Sequence, residues 1–373
     1  MADNTTKADP IFVTKAIVPS YSEYAAYLEQ VFNTRHLTNG GRLAQKLEQA
    51  ISSFLNIQHL AICANGTLAL QLALRAAGLE KGEVITTPFS YVATVSSLLW
   101  EGFTPVFADI DEDTLCISPG SIEAAITENT VAILPVHIYG NACDVEAINT
   151  VANKYHLKTI YDAAQAFGST LMGVPLASYG EFATMSFHAT KVFHTVEGGG
   201  VVCHSAEAHE RLGLLRAFGH IGDNYISLGV NAKMSELHAA MGLCLLSQVN
   251  DNIAHRKRVS EQYDSLLPTA GLRKPVLADG LDYNYAYYPV IFDTPEAMKK
   301  TLALLKNMEI FPRRYFFPSL NTLPYLKTSQ PCPISEDICS RVLCLPLYAE
   351  LGSKDVERIV AILATSLTGK PNV

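Results

Sequence analysis

The chain carries the stretch Met185-Ser-Phe-His-Ala-Thr-Lys191-Val-Phe-His-Thr-Val-Glu197-Gly-Gly-Gly200, which decides how the rest of the sequence is interpreted. Its single lysine follows an apolar, strand-like run at residues 182–187 and precedes a glycine cluster that other backbone can approach closely. The amine of Lys191 can therefore project from ordered backbone into a site. A desolvated lysine amine loses its proton and becomes a nucleophile, so Lys191 is a candidate for Schiff-base chemistry. On this stretch alone, a solvated surface lysine remains the alternative.

Length and composition indicate a globular protein with a large domain and a smaller one. The chain has 373 residues, of which 49% are hydrophobic and 17% charged, which is ample for a sizeable core. The net charge of -8 disfavours a general affinity for nucleic acid or for an anionic membrane. A phosphate-bearing ligand would therefore need a local pocket of hydrogen-bond donors.

The sequence offers neither a membrane-spanning segment nor a secretion signal. No uninterrupted apolar run approaches the length of a membrane span, and the first ten residues are polar. We therefore expect a cytoplasmic protein. Its eight cysteines are scattered without a Cys-x-x-Cys pair, and most lie in apolar runs, which predicts buried reduced thiols rather than a metal site.

Apolar runs of strand length alternate with segments of helical period through the first half of the chain. Two helices are predicted at residues 22–32 and 42–55, before the alternation begins. The strand candidates are residues 59–63, 83–87, 105–109, 131–137 and 158–162. This alternation predicts a mostly parallel sheet covered by helices on both faces. Ligands gather at the carboxyl ends of the strands in such sheets, so the residues that follow each strand are the candidate site.

Two candidate ligand contacts follow the first two of these strands. The turn Asn65-Gly66-Thr67 leads into an apolar helix at residues 68–77, and the free amides at its start could bind an anion. An ordinary helix cap without a ligand is the alternative. Tyr91 reaches the same end of the sheet, where its ring could stack on a flat cofactor or only pack. We interpret His137, after a later strand, as a core histidine.

Asp162 ends the apolar strand at residues 158–162. A carboxylate there is expensive to bury without a cationic partner, so it either caps a following helix or meets a positive charge in the site. Lys191 follows about one crossover later, which lets both side chains reach one cavity from different strands.

Together these motifs resemble the fold-type I enzymes that use pyridoxal 5'-phosphate (PLP). More narrowly, they are similar to the sugar-nucleotide aminotransferases of the DegT/DnrJ/StrS type. The resemblance covers about residues 37–258, with its motifs in a consistent order. The matching positions are 65–67, 88–94, 105–110, 162–165, 186–191, 197–199 and 229–236. It implies an α/β fold with a large domain at residues 1–250, including an N-terminal arm, and a smaller α+β domain at residues 251–373.

The resemblance also implies roles for the two polar residues singled out above. Lys191 would hold PLP as a Schiff base, and Asp162 would pair with the pyridinium nitrogen. A carboxylate keeps that nitrogen protonated, and a cationic ring is the better electron sink. Members that act as sugar 3-dehydratases replace the lysine with histidine, so the intact Lys191 favours amino transfer.

Further cofactor contacts are implied for residues around this pair. Gln165 would lie near the phenolic oxygen of PLP, and Tyr91 would stack on its ring. The phosphate would be held by Gly66, Thr67 and Ser186, with Asn231 reaching it from a neighbouring subunit. That last assignment predicts a homodimer whose active sites are shared across the interface.

The substrate pocket is expected to involve the C-terminal domain. Arg313 and Arg314 adjoin Tyr315 in the segment Arg-Arg-Tyr-Phe-Phe-Pro, and adjacent arginines could grip a diphosphate or only form a solvated face. The segment is similar to one in transaminases that act on dTDP-4-keto-6-deoxyglucose. His188, three residues before the lysine, could touch the sugar or only pack.

The implied reaction is amination of C4 of a dTDP-linked 4-keto-6-deoxyhexose, with L-glutamate as the usual donor. Lys191 would move the proton in both half-reactions, so ping-pong kinetics are expected. The product would be a deoxyamino sugar for a surface polysaccharide such as a lipopolysaccharide O-antigen. Amination at C3 is the close alternative, and a non-catalytic regulatory protein with this fold is a more distant one. A dinucleotide-binding protein is disfavoured because no Gly-x-Gly-x-x-Gly follows the first strand.

Two positions depart from the common pattern of the family. Val196 stands where a glycine usually precedes Glu-Gly-Gly, and Lys233 stands where arginine is common. Lys233 keeps the charge but lacks the planar fork that binds phosphate or carboxylate through two hydrogen bonds.

Overall fold

The computed structural model describes residues 9–268, 270–327 and 330–368. Its helices are α1 (Tyr21–Thr34), α2 (Arg42–Phe54), α3 (Gly66–Ala76), α4 (Ala93–Trp100), α5 (Pro119–Ala125), α6 (Val145–Tyr155), α7 (Ala206–Leu215), α8 (Glu236–Leu246), α9 (Val249–Leu266), α10 (Pro295–Asn307), α11 (Pro333–Arg341) and α12 (Ser353–Thr368). Short 3-10 turns cover Ile138–Gly140, Leu176–Ser178 and Leu320–Thr322.

The strands group into one central sheet and several small ones. In chain order they are β1 (Ile11–Phe12), β2 (His59–Cys63), β3 (Glu83–Thr86), β4 (Thr104–Phe107), β5 (Thr130–Leu134), β6 (Lys158–Asp162), β7 (Thr170–Leu171), β8 (Val174–Pro175), β9 (Phe182–Ser186), β10 (Gly199–Cys203), β11 (His220–Ile221), β12 (Asn224–Tyr225), β13 (Leu272–Arg273), β14 (Leu281–Asp282), β15 (Tyr288–Phe292), β16 (Ile310–Phe311) and β17 (Val342–Leu345).

The central sheet has seven strands in the order β2-β10-β9-β6-β5-β3-β4. Strand β10 runs antiparallel to both of its neighbours, β2 and β9, whereas the other pairings are parallel. The mostly parallel α/β fold predicted from the sequence is therefore confirmed. Because β10 reverses direction, Gly199 at its start lies beside Cys63 at the end of β2 and Ser186 at the end of β9. The carboxyl ends of these two strands thus meet around the glycine cluster.

Most of the predicted elements are present, and two boundary errors have physical causes. Strand β5 ends at Leu134 rather than at residue 137, because Pro135 has no amide hydrogen to continue the ladder. Helix α3 starts at Gly66, two residues earlier than predicted. Its N-cap is Asn65, whose side chain accepts a hydrogen bond from the Leu68 amide at 2.9 Å.

A second and smaller apolar core lies in the C-terminal part of the chain. It includes Tyr263, Phe292 and Leu363, and it also contains Ile11 from the N-terminal arm. The arm contacts both cores, since β1 pairs in parallel with β16 while Val13 and Ile17 pack against the larger core. Helix α9 begins in the larger core at Val249 and continues into the smaller one, so the division itself stays a prediction.

The buried cysteines and His137 are as expected for core residues. All eight cysteine side chains are buried and free of disulfide bonds. His137 is fully buried, stacks on Tyr161 and accepts a hydrogen bond from the Cys143 amide through Nδ1 at 3.2 Å. Burial lowers its pKa to about 3, so this imidazole stays neutral.

A helix must be long and apolar to span a membrane. Within residues 9–268, 270–327 and 330–368, each helix is too short or too polar to cross a lipid bilayer.

Candidate active site

Asp162 lies at the carboxyl end of β6 and is only 5% exposed. One carboxylate oxygen accepts a hydrogen bond from Thr94 Oγ1 at 3.0 Å, and the other accepts one from the Ala164 amide at 3.0 Å. Burial raises the pKa of Asp162, although these hydrogen bonds and the charge of Lys191 act in the opposite direction. Because both hydrogen-bond donors are neutral, this buried carboxylate would be stabilised by a cationic partner in the site.

Lys191 lies in the loop between β9 and β10, and the backbone of this loop is held by its own hydrogen bonds. The Phe187 amide donates to Gly198 O at 2.8 Å, and the Ala189 amide donates to Val196 O at 2.8 Å. The lysine therefore projects from a closed hairpin-like loop that continues the sheet. These hydrogen bonds fix the backbone on either side of the lysine.

The amine of Lys191 is drawn into the interior of the protein. Its Nζ lies 3.3 Å from the hydroxyl of Tyr287, which comes from the C-terminal part of the chain. Burial lowers the pKa of Lys191, and the charges of Asp162, Tyr315 and Tyr91 partly offset that effect. The neutral, nucleophilic form of the amine is thus favoured relative to an ordinary surface lysine.

The start of helix α3 faces the end of β9 at van der Waals distance. A Cβ atom added to Gly66 would lie 2.8 Å from Ser186 Cβ, and one added to Gly199 would lie 2.6 Å from the Asn65 carbonyl oxygen. Thr67 follows in the first turn of the helix and is exposed. The structure therefore brings Gly66, Thr67 and Ser186 together at a helix N-terminus, where backbone amides and the helix dipole attract an anion.

Gln165 and Lys191 line the same small cavity, of about 10 Å³, together with Asn284 and Tyr287. The side-chain oxygen of Gln165 accepts a hydrogen bond from the Tyr139 amide at 2.6 Å, which fixes the orientation of the amide group. Its NH₂ group is thereby left as the donor end of the side chain. Gln165 and Lys191 thus lie beside the same cavity.

Three of the predicted contacts are made by exposed side chains. Tyr91 is 58% exposed. His188 is also exposed, and its Nε2 lies 3.7 Å from Glu197 Oε1. Asn231 is exposed and forms an isolated β-bridge with Ala217. These side chains are not enclosed by their own chain.

The structure separates the two adjacent arginines that the sequence suggested for the substrate. Arg313 is exposed and lies over the ring of Tyr315, 5.3 Å from its centre. The ring of Tyr315 lies 5.6 Å from that of Tyr287, so this tyrosine reaches the surroundings of Lys191. Arg314 turns away and donates to the carbonyl oxygen of Cys339 at 3.2 Å, near the end of α11. The structure thus brings Arg313 and Tyr315 to the site and directs Arg314 elsewhere.

Three polar residues of the site were not identified from the sequence. Thr94 belongs to the matching segment at residues 88–94, but the sequence analysis gave it no role in the site. Tyr287 lies in a tyrosine-rich run at residues 283–288, and this run is a sequence signal that could have pointed to it. Thr14 of the arm lines a second cavity of about 10 Å³ with Tyr287 and Tyr315. Its Oγ1 is buried without a hydrogen-bond partner among the residues that the structure describes. Nothing in the arm's sequence indicated this position.

The two departures from the family pattern have clear structural settings. Val196 has φ = +69°, a left-handed backbone that glycine adopts without strain, so the usual glycine at this position is explained. Lys233 lies over the ring of Phe218 at 5.2 Å. Its pKa is lowered by partial burial and by the charge of Arg216.

Comparison with known sequences gives matches over nearly the whole chain. A profile described as the DegT/DnrJ/EryC1/StrS aminotransferase family matches residues 20–364. A dTDP-4-amino-4,6-dideoxy-D-glucose transaminase of Shigella dysenteriae is 42% identical over 361 residues, which cover 95% of this chain and 98% of that protein. A transaminase of the same name from Escherichia coli is 37% identical over 364 residues, covering 94% and 97% of the two chains.

Solved structures are also similar over nearly the whole chain. The crystal structure of DesI in the presence of its TDP-sugar product has a TM-score of 0.91 and 33% sequence identity. The match covers 97% of this chain and 94% of that one. The similarity therefore includes both the central sheet and the C-terminal part that contributes Tyr287 and Tyr315.

Proposed function

This chain belongs to the DegT/DnrJ/EryC1/StrS aminotransferase family of PLP-dependent enzymes, and from that premise we propose that it aminates a dTDP-linked keto sugar. The proposed substrate is dTDP-4-keto-6-deoxy-D-glucose, which receives the amino group of L-glutamate at C4. The main support is the 42% identity with the Shigella transaminase over nearly the full length of both chains. Because nucleotide sugars and glutamate are cytoplasmic metabolites, the proposed reaction takes place in the cytoplasm.

The residues of the site fit PLP in three independent respects. The buried carboxylate of Asp162 has only neutral hydrogen-bond donors and suits a protonated ring nitrogen. Gly66 packs against Ser186 at the start of α3, and the neighbouring Thr67 is exposed, so the first backbone amides of this helix suit a phosphate group. Burial lowers the pKa of Lys191, as Schiff-base formation with an aldehyde requires.

The proposed mechanism assigns each residue a task at a stated atom. PLP, when bound, supplies an electron-withdrawing ring that stabilises negative charge next to the carbon bearing the amino group. The carboxylate of Asp162 holds the proton on the ring nitrogen. The Nζ of Lys191 removes the α-proton of glutamate and, in the second half-reaction, delivers a proton to the sugar carbon that receives the amine.

We further propose that the enzyme works as a homodimer. Around Asn231, the segment at residues 218–230 exposes several large apolar side chains, including Ile221 at 62%, Tyr225 at 80% and Leu228 at 75%. Contiguous apolar surface of this kind is unusual on a monomer and is typical of an interface. Covering it with a second subunit would bring the partner's copy of this segment, with Asn231, towards a neighbouring phosphate site.

Incubation of the purified holoenzyme with L-glutamate and dTDP-4-keto-6-deoxy-D-glucose tests the proposal. We expect a product with an amino group at C4, identified by mass spectrometry and NMR. The matched control is the corresponding dTDP-3-keto sugar, and amination of this sugar alone would replace our assignment with the C3 reaction. A protein that stays colourless in added PLP and aminates neither sugar would contradict the proposal and support a regulatory role.

A further inference from the structure

Tyr287 contacts the reacting nitrogen of the site, although the proposed mechanism gives it no task. Its hydroxyl lies 3.3 Å from Nζ of Lys191, and the two residues are 96 positions apart in the sequence. The ammonium or amine group can donate to this hydroxyl, and the hydroxyl can donate to a neutral amine. The contact joins the loop after β9 to the C-terminal part of the chain.

The position of Tyr287 is fixed from several sides. Its carbonyl oxygen accepts a hydrogen bond from the Tyr283 hydroxyl at 3.2 Å. Its ring lies 5.4 Å from that of Tyr139 and 5.6 Å from that of Tyr315, measured between ring centres. Strand β15 begins at the next residue and anchors the backbone. A side chain held in this way can orient a more mobile one.

Tyr287 also borders both small cavities of the site. One of these is lined by Lys191 and Gln165, and the other by Thr14 and Tyr315, while Tyr287 lines both. Burial raises the pKa of Tyr287 well above its ordinary value, so the phenol stays protonated at neutral pH. Its hydroxyl therefore acts as a neutral hydrogen-bonding group beside the amine rather than as a second charge.

The free amine of Lys191 has a competing attraction in this site. The carboxylate of Asp162 attracts the charged form of the amine electrostatically, which would draw the amine towards Asp162. The long, flexible side chain of lysine offers little resistance to such a movement. A hydrogen bond from the amine to the neutral hydroxyl of Tyr287 would counteract it.

We propose that Tyr287 is a positioning residue that holds the amine of Lys191 towards the substrate whenever this amine is not bound to the cofactor. The inference rests on the proposed function, because only an aminotransferase needs the released amine to return as a base.

The test compares Tyr287→Phe with Tyr285→Phe, which removes a hydroxyl from the same segment outside the site. Lys191 of each apoprotein is labelled with trinitrobenzenesulfonate across a range of pH, and peptide mapping gives the extent of labelling at this lysine. The labelling midpoint is the pH at which labelling of Lys191 is half of its maximum. As Tyr287 accepts a hydrogen bond from the protonated amine, its loss should shift the labelling midpoint of Lys191 to lower pH. Tyr285→Phe should leave the midpoint unchanged. A second variant, Tyr287→Gln, restores an acceptor and should move the midpoint back.

A kinetic measurement separates positioning from a general loss of structure. In the PLP-loaded enzyme, Tyr287→Phe should slow the glutamate half-reaction about tenfold at saturating glutamate, with little change in KM. Equal midpoints and equal half-reaction rates in Tyr287→Phe and Tyr285→Phe would overturn the inference. Neither measurement uses the keto sugar, so a failure here is distinguishable from a failure of the proposed substrate.

Discussion

The two sides of the active site differ in how completely one chain builds them. On the cofactor side, Asp162 is buried and hydrogen-bonded, and Gly66 packs against Ser186. On the opposite side, Tyr91, His188 and Asn231 are exposed to solvent. The chain thus preorganises the part of the site that performs the same chemistry in every turnover. The part that would cover the cofactor ring or meet the sugar or a second subunit is left open.

This difference predicts that substitutions on the enclosed side have larger effects than those on the exposed side. Removing a group that is fixed by packing also disturbs its neighbours, whereas an exposed side chain affects only the ligand it touches. This expectation is wrong if a substitution on the exposed side lowers activity as much as one on the enclosed side.

The largest effect is expected for Lys191→Ala. Loss of the group assigned to move the substrate proton should lower kcat by at least about 10⁴-fold and abolish the Schiff-base absorbance with PLP. Absorbance spectra and turnover assays measure both effects. Lys154→Ala is the control, because Lys154 pairs with Glu123 on the surface and should leave activity unchanged. Substantial activity in Lys191→Ala would refute the assignment of the base.

Asp162→Asn should lower kcat about 10²- to 10³-fold, because the amide cannot hold a proton on the ring nitrogen. The pH dependence of the stability of the apoprotein gives an independent test of Asp162. Burial raises the native pKa of Asp162 above the unfolded value, so the native state binds this proton more tightly. Stability of the apoprotein should therefore fall as pH rises through the interval between the two values.

Chemical unfolding of the apoprotein across this pH range measures the effect. The Asn variant should lose that part of the pH dependence, while wild type keeps it. Parallel stability curves for the two proteins would mean that the buried carboxylate of Asp162 does not titrate as described.

Gly66→Ala should weaken PLP binding by about ten- to a hundredfold, because the new methyl group would meet Ser186 Cβ at 2.8 Å. Titration of the apoprotein with PLP measures the affinity. The matched control is Gly213→Ala in helix α7, where an added Cβ meets nothing within 4 Å. This control should bind PLP normally and become slightly more stable, since alanine favours helix. Equal affinities in the two variants would contradict a phosphate site at the start of α3.

His188→Ala should have a smaller effect, confined to the sugar substrate. The exposed imidazole lies near Glu197 and can reach a ligand only from the open side. We expect KM for the keto sugar to rise severalfold, while the glutamate half-reaction is unchanged. Steady-state kinetics with each substrate varied in turn will show this, and a slower glutamate half-reaction would place His188 on the enclosed side instead.

The smallest effect is expected for Val196→Gly. Glycine relieves the left-handed strain at φ = +69° but adds freedom to the unfolded chain, so the free energy of unfolding should rise by at most about 1 kcal/mol. Denaturant unfolding measures the change. A clear loss of stability would show that the valine side chain contributes packing that outweighs the strain.

The sequence predicted the central sheet well because strands depend on local patterns. Strands β2 and β6 were predicted at their observed bounds, and Asp162 and Lys191 were placed near the carboxyl ends of neighbouring strands. Tyr287 and Thr94 were missed because their roles arise from contacts between distant segments. The opposite directions of Arg313 and Arg314 could not be predicted either, since adjacent residues of one type carry no information about which one faces the site.

Strand β10, which runs against its neighbours, links the anion-binding turn to the lysine loop. A side chain at position 66 would meet residue 186, and one at position 199 would meet the backbone of residue 65. A larger residue at 66 would require the end of β9 at residue 186 to shift, whereas the backbone contact at 199 cannot be relieved by changing a side chain. In the evolutionary record of related sequences, we therefore expect glycine to persist at 199, and a library for engineering this site should randomise 66 and 186 together while keeping Gly199.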